Sequence, residues 1–376
     1  MRLLLACAAA LWLGRSSGLL LPKAGPRAAV ARAGRQVFSC APQEQQEQSP
    51  SLPLAPAKVE PVDDPWKKYS VLLLNFVAVI WGSQHAVIKD SVASFGHPSL
   101  LIFWRFLLGC GLFLPALAAL ASDLSASSDE PSKKDANEEL LRAGAELGLY
   151  TFLGFSFQAV GLETTTASRS AFLLYLNVKF VPVLAVLFLG RRFAGNVWLS
   201  AALALAGTFL LSTDSGPAVA GDVWCILAAL ASGAFILRLE AFSARFDAPR
   251  LNAVTFLTVL ALAAVWVAAD FAGSGMDLLN ADVAYRELWQ PLEARLPQVL
   301  YLGVVSTALC NYLQTLGQKH VPATKASIIY SLDPLYGAGF SYLLLGEQMG
   351  LQGFLGGLFI LAGVGVSSMG NGEQRA

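Results

Sequence analysis

The chain has little of what most catalytic chemistry requires. Its three histidines, His85, His97 and His320, are far apart in sequence, and none stands in a His-Glu-x-x-His arrangement. The five cysteines form no Cys-x-x-Cys pair, which removes zinc-ribbon and dithiol readings, and Cys110, Cys225 and Cys310 fall in apolar stretches as small hydrophobes. No Gly-Lys-Ser phosphate cradle is present, nor any Ser/His or paired-carboxylate spacing of a hydrolase. These absences point away from an enzyme, a metal site and a cofactor. Charge is scarce as well: 14% of the 376 residues are charged, against about 25% in a soluble domain. Acidic and basic residues balance at 26 each, so the basic excess that a nucleic-acid partner would require is missing.

What remains is apolar. The hydrophobic share is 55%, and the mean hydropathy is +0.55. A folded chain of this composition has too little polar surface to face water all round, whereas a lipid bilayer can meet its outer face. Apolar stretches of about 20 residues, the length that spans a bilayer as helix, occur ten times. They cover 69–89, 98–121, 143–163, 167–190, 196–212, 222–242, 251–271, 297–316, 323–346 and 351–368. Two connections are longer: a charged one over 122–142, and 272–296, whose Leu288, Trp289, Leu292 and Leu296 suit a short amphipathic helix lying at the interface. Lys67, Lys68, Lys133, Lys134, Arg142, Arg191, Arg192, Arg245, Arg250, Lys319 and Lys325 all fall on the side of the first stretch's start, so the positive-inside rule puts both termini on the cytosol-like face.

The first 43 residues read as a cleavable leader. They carry Arg2, Arg15, Lys23, Arg27, Arg32 and Arg35 and no acidic residue before Glu44. The apolar run 3–13 is too short to span and fits the core of a signal peptide, and the Ala/Arg-rich stretch behind it has the composition of a transit peptide. This two-part pattern is that of proteins sent to complex plastids, which predicts a plastid envelope protein, with the endomembrane system or plasma membrane as the alternative. The Gln/Glu/Pro/Ser-rich segment 44–66 is a disordered linker.

The chain also repeats. Residues 158–212 lie on 314–368 without a gap: Gln158 meets Gln314, Gly161 meets Gly317, Ala167 meets Ala323, Leu189-Gly190 meets Leu345-Gly346, and Leu205-Ala206-Gly207 meets Leu361-Ala362-Gly363. Upstream, Gly82 matches Gly233, Phe95 matches Phe246 and Pro98 matches Pro249. Five stretches per half is an odd number, so the second half (221–370) enters from the opposite face to the first (67–212). The sequence therefore predicts an all-α integral membrane protein of ten transmembrane helices, built as two five-helix inverted-topology repeats.

Trp81-Gly82-Ser83, Arg105-Phe106 and the glycine-flanked run from Gly161 to Gly190 resemble the drug/metabolite transporter superfamily, in particular its EamA-domain family. The run Gly317, Ala323, Asp333-Pro334 and Leu345-Gly346-Glu347 is similar to the same motif in the second half, although Arg191 holds in the first half the place of Glu347. The resemblance implies ten helices around a central cavity, and solute carried by rocking of two halves.

Charges at mid-bilayer cost about 2.5–3.5 kcal/mol each and mark solute or proton paths by default. Lys179 and Asp333 lie near the middle of their stretches, and Asp333 meets Asn177 in the repeat, two residues from Lys179. They are candidates to bind opposite charges on a solute, or to neutralise one another in a packed interior. Helical spacing sets Asp333 on a stripe with Tyr330, Tyr336, Gly337 and Phe340, and Lys179 on one with Phe172, Tyr175 and Leu176, from which Asn177 turns away. Gln84, Gln158, Gln314 and Asn311 are candidates either to bind solute or to join helices. Arg105 is a candidate to bind solute, to brace a neighbouring helix or to snorkel, while Arg238 and Glu240, at a stretch end, read as snorkelling. His85, beside Gln84, offers a weak hint of a proton relay. The proposed solute-binding set is therefore Lys179, Asp333, Gln84, Gln158, Gln314, Asn311, Tyr330, Tyr175 and Arg105. These residues suit a secondary carrier or exchanger of a small polar metabolite, an amino acid or organic anion, with protons as a candidate partner. A sugar-phosphate or nucleotide-sugar carrier is the alternative, but it would need more Lys and Arg than Lys179 and Arg105 provide. A non-transporting scaffold or receptor is the alternative of another class.

Overall fold

The structure is a computed structural model, and it describes residues 66–126, 131–190, 192–193, 195–214, 219–274, 281–330, 332–346, 350–369 and 373–374. The leader, all of the linker but Trp66, and Arg191 and Glu347 lie outside the described residues. The chain is helical nearly throughout: α1 Ser70–Phe95, α2 Pro98–Leu112, α3 Leu114–Ala126, α4 Pro131–Thr164, α5 Ala167–Leu174, α6 Asn177–Leu189, α7 Gly195–Asp214, α8 Ala220–Ser243 and α9 Ala248–Ser274. After short helical turns over 281–294 come α10 Leu296–Gln318, with a π-helical stretch at Tyr301–Leu309, then α11 Ala323–Tyr330, α12 Asp333–Leu345 and α13 Leu351–Met369. A two-residue antiparallel ladder pairs Arg192–Phe193 with Glu373–Gln374.

Among the described helices, five are long and apolar enough to cross a bilayer by length and composition: Lys67–Phe95, Ala167–Leu187, Ala220–Ser243, Ala248–Gly273 and Leu296–Gln318. A sixth follows if α2 and α3, which bend 68° against each other, count as one span. The other apolar stretches differ for visible reasons. α4 begins in the charged sequence after Pro131, and the apolar parts of α7 and α13 are short. Leu72, Phe76, Leu187, Leu343, Leu344, Leu351 and Phe354 all point outward on these helices, an apolar exterior far larger than water tolerates on a soluble monomer.

Packing follows the repeat at the level of single residues. Gly82 of α1 crosses α12 so closely that a Cβ there would overlap that of Tyr336, and its repeat mate Gly233 of α8 crosses α6 with a would-be Cβ 3.1 Å from Phe180. A Cβ on Gly161 of α4 would lie 2.6 and 2.9 Å from Cys225 and the Gly221 carbonyl of α8, and one on its mate Gly317 of α10 would lie 2.6 and 3.2 Å from Leu74 and the Ser70 carbonyl of α1. Each pair of crossings involves equivalent residues with the two halves exchanged. α7 and α13, also mates, pack along one another. α6 and α12 both stop at glycines in the left-handed region, Gly190 (φ 62°) and Gly346 (φ 67°), where a side chain would be strained.

The ends are tied by polar contacts. Arg169 pairs with the buried Asp222 at 2.7 Å, and Asp222 also accepts from Thr165 and from the backbone N–H of Val219. Arg238 grips Glu146 of α4 through two nitrogens at 2.5 and 3.2 Å, and Glu240 accepts from the first backbone N–H of α11. Both residues are thus engaged by neighbouring helices instead of snorkelling, because α4 and α11 bring partners to their depth. The turns at 281–294 dock on the ends of α1 and α2: Trp289 stacks on Trp104 at 5.0 Å, and Arg295 pairs with Asp90 at 2.6 Å.

Candidate functional site

Two helices are interrupted at equivalent points. Between α5 and α6 the turn at Tyr175–Leu176 tightens, with Leu176 N–H bonded to Leu173 O and Lys179 N–H to Leu176 O. Between α11 and α12 the mates of these bonds recur: Leu332 N–H to Ile329 O, and Leu335 N–H to Leu332 O. Each bond spans three residues instead of four, the spacing of a 3₁₀ turn, which within a longer helix often marks a hinge. Each turn starts a new helix at a polar residue, Asn177 in the first half and Asp333 in the second. Pro334 sits in the first turn of α12, where its missing N–H costs nothing, whereas Pro182 lies inside α6 beyond the break.

Both polar residues line one cavity. Its walls are built from repeat mates: Trp81 with Ser232, Gln84 with Phe235, Phe155 with Asn311, Gln158 with Gln314, Leu174 with Tyr330, and Asn177 with Asp333. Tyr150, Thr151, Gly154 and Ile236 complete it. The backbone frame is thus nearly symmetric and the chemistry is not, since most pairs set a polar side chain against an apolar or a differently charged one. Among the described lining residues, Asp333 brings the one formal charge.

Hydrogen bonds behind the wall fix how its amides are turned. The Ile236 carbonyl accepts from Gln318 Nε2 at 3.1 Å, so Gln318 presents its oxygen to Gln314, whose Nε2 donates to it at 2.9 Å. Tyr330 donates to the same Gln318 oxygen at 3.5 Å. Gln314 therefore keeps Oε1 for the cavity, and that atom has no hydrogen-bond partner among the described residues. Gln84 is turned the other way. Its Oε1 accepts from Arg105 Nη2 at 2.7 Å and from Ser306 at 2.8 Å, which leaves its NH₂ to the cavity. Arg105 is fully buried, is also bonded through Nε to Thr307, and lies over the Phe155 ring at 4.2 Å. His85 stands between Gln158 and Asp333: Nδ1 is 3.2 Å from Gln158 Nε2, and Nε2 is 3.5 Å from Asp333 Oδ2. That second distance allows ion pairing, but the atoms are not aligned as a hydrogen bond. A proton on Nε2, beside the carboxylate, makes Nδ1 the acceptor for the Gln158 NH₂.

The structure brings together Gln84, Gln158, Asn311, Gln314, Tyr330 and Asp333 around the cavity. It places Arg105 one layer behind, on Gln84. Lys179 and Tyr175 stand outside the lining, with Lys179 Nζ donating to Ser200 of α7 at 2.7 Å and lying 6.0 Å from the Tyr175 ring. Lys179 and Asp333 are therefore not partners of one another: one is held by Ser200, the other lies against His85. Asn177, turned away from the Lys179 stripe, is the residue that reaches the cavity. Sequence reasoning did not place Trp81, Asn177 or Ser232 in the site. For Asn177 the repeat contained the signal, because it is the mate of Asp333, whereas Trp81 and Ser232 are mates of one another and neither stood out.

A bundle of apolar helices with an apolar exterior, around a largely apolar cavity that carries a few amides and one carboxylate, is an integral membrane protein of the transporter class. Residues 68–213 and 219–369 each match the EamA-like transporter family, so the chain belongs to that family and carries two EamA repeats. Among similar proteins, an uncharacterized transporter of Archaeoglobus fulgidus is 27% identical over 310 residues, covering 80% of this chain and 86% of its own. The uncharacterized transporter YdfC of Bacillus subtilis is 23% identical over 294 residues, covering 76% and 86%. A solved crystal structure superposes with a TM-score of 0.55 at 17% identity, over 80% of this chain and 96% of that one, a likeness of fold.

Proposed function

We propose that the protein is a secondary carrier or exchanger of a small polar metabolite, working by alternating access of two inverted five-helix halves across ten spans. The observation that carries this reading is the cavity itself. It lies where mates from both halves meet, and two interrupted helices begin at it, an arrangement that recurs in carriers whose halves rock about a central site. The tightened turns at Tyr175–Leu176 and at Leu332 are natural hinges for that motion. A sugar-phosphate or nucleotide-sugar solute gains no support, since neither Lys nor Arg is among the described lining residues. A scaffold that binds no solute gains no support from such a cavity.

The test is transport by the purified protein in proteoliposomes, with pooled labelled metabolites. Uptake should saturate with concentration and accelerate when unlabelled solute is preloaded. Flux that rises linearly and equals that of protein-free vesicles for every pool would end the carrier reading. The leader composition supports residence in a plastid envelope. A reporter fused behind residues 1–65 should reach the plastid through the secretory route, and a reporter found in the medium or in mitochondria would overturn that localisation.

A further inference from the structure

Hydrogen-bond supply and demand in the cavity are unequal. Among the described residues, three buried oxygens of its wall have no hydrogen-bond partner: Asp333 Oδ1, Asn177 Oδ1 and Gln314 Oε1. The Gln314 oxygen is committed to the cavity by the chain of bonds that runs through Gln318 to the Ile236 carbonyl. An ionised carboxylate has no proton to offer, so Asp333 can only accept. Against these acceptors the wall sets one fixed amide donor, the NH₂ of Gln84, whose oxygen is held from behind by Arg105 and Ser306. Tyr330 adds no donor, as its hydroxyl hydrogen is directed at Gln318. Its ring and that of Trp81, 5.4 Å apart, instead present aromatic surface next to the carboxylate. Buried acceptors left unmet are costly, and aromatic faces attract cations.

We propose that the solute is a small organic amine whose ammonium group donates to Asp333, Asn177 and Gln314, with its body against Trp81 and Tyr330. This rests on the carrier reading and narrows it. An ammonium has three N–H donors and no acceptor, and so matches three oxygens beside a single negative charge. A carboxylate placed there would meet oxygens with oxygens. A zwitterion would satisfy its ammonium but leave its carboxylate neutral donors such as the Gln84 amide and the Ser232 hydroxyl, with no cation among the described lining residues.

Binding separates these cases when size is held constant. Thermal stabilisation of the purified full chain would be titrated with phenethylamine, 3-phenylpropionate and phenylalanine, and separately with sodium chloride against choline chloride. The amine should bind tightest, phenylalanine more weakly, and the acid not at all. Asp333→Asn should weaken amine binding about 10- to 100-fold, the range expected for losing one charge-assisted hydrogen bond. Asn177→Asp should strengthen it. That gain would stand even if Asp333→Asn failed to fold. Equal or tighter binding of the acid or of phenylalanine, no binding of the amine, or stabilisation by sodium alone would overturn the inference. Amine binding without saturable amine flux in proteoliposomes would sink the carrier reading and leave the ligand class intact.

Discussion

At the scale of single residues, what matters here is less which side chains are polar than which atom each one offers. Gln84 and Gln314 are the same residue type, yet one shows the cavity a donor and the other an acceptor. The difference originates in neighbours that do not line the site: Arg105 and Ser306 behind Gln84, and Gln318 behind Gln314. Arg105 makes its bonds to neutral oxygens of Gln84, Ser306 and Thr307, so it acts as a positioning residue for Gln84. Glycine carries equal weight at the crossings. Gly82→Ala would drive a methyl group into Tyr336 at the α1–α12 contact, next to His85 and Asp333. We expect a loss of about 1–3 kcal/mol of stability, the usual cost of overpacking. Gly339→Ala in the same helix α12 has open space around it and should stay within about 1 kcal/mol of wild type. Melting midpoints of the two purified variants check the pair. Equal midpoints would mean that the close approach at Gly82 does not constrain the fold.

At the scale of elements, the interruptions between α5 and α6 and between α11 and α12 organise the site. A continuous helix spends every backbone N–H on the carbonyl four residues earlier. The tightened turn lets Asn177 and Asp333 begin new helices, so each lies at a half-helix N-terminus. The prolines of these segments do not coincide with the interruptions. Pro182 lies beyond the first break, and Pro334 follows the second without causing its mate, since the first half is interrupted at the same place with no proline there. What both breaks share is a tertiary contact: α1 and α8 cross the new helices at Gly82 and Gly233.

At the scale of the whole molecule, the exchange of halves predicts a topology. Seven proposed spans separate Lys67 from Arg286, and one more separates Arg286 from Lys319, so Lys67 and Lys319 should share a face and Arg286 should lie on the other. All three side chains are exposed and suit replacement by cysteine. With the native cysteines removed, an impermeant thiol reagent should label Lys67→Cys and Lys319→Cys from one side and Arg286→Cys from the other. Labelling of Lys67→Cys and Arg286→Cys from the same side would break the ten-span arrangement.

By itself the sequence determined the class of protein, the family and the existence of a repeat. These depend on sums and spacings along the chain. Hydropathy accumulates residue by residue over a window, and the match of Gln158 to Gln314 or Gly161 to Gly317 needs no knowledge of how helices turn. The amides Gln84, Gln158, Asn311 and Gln314 and the carboxylate Asp333 were legible as candidates for the same reason, because a polar group in an apolar run stands out against its background. Which of them share a cavity was not legible. Lys179 and Asp333 have nearly the same depth and nearly equivalent positions, and a reading by depth pairs them. Yet a shift of two residues turns a helical side chain by about 200°, enough to send Lys179 to Ser200 while Asn177 faces Asp333 across the cavity. Helix rotation, the placement of the two tightened turns and the orientation of each amide are set by contacts between segments far apart in sequence, and only the tertiary structure decides them.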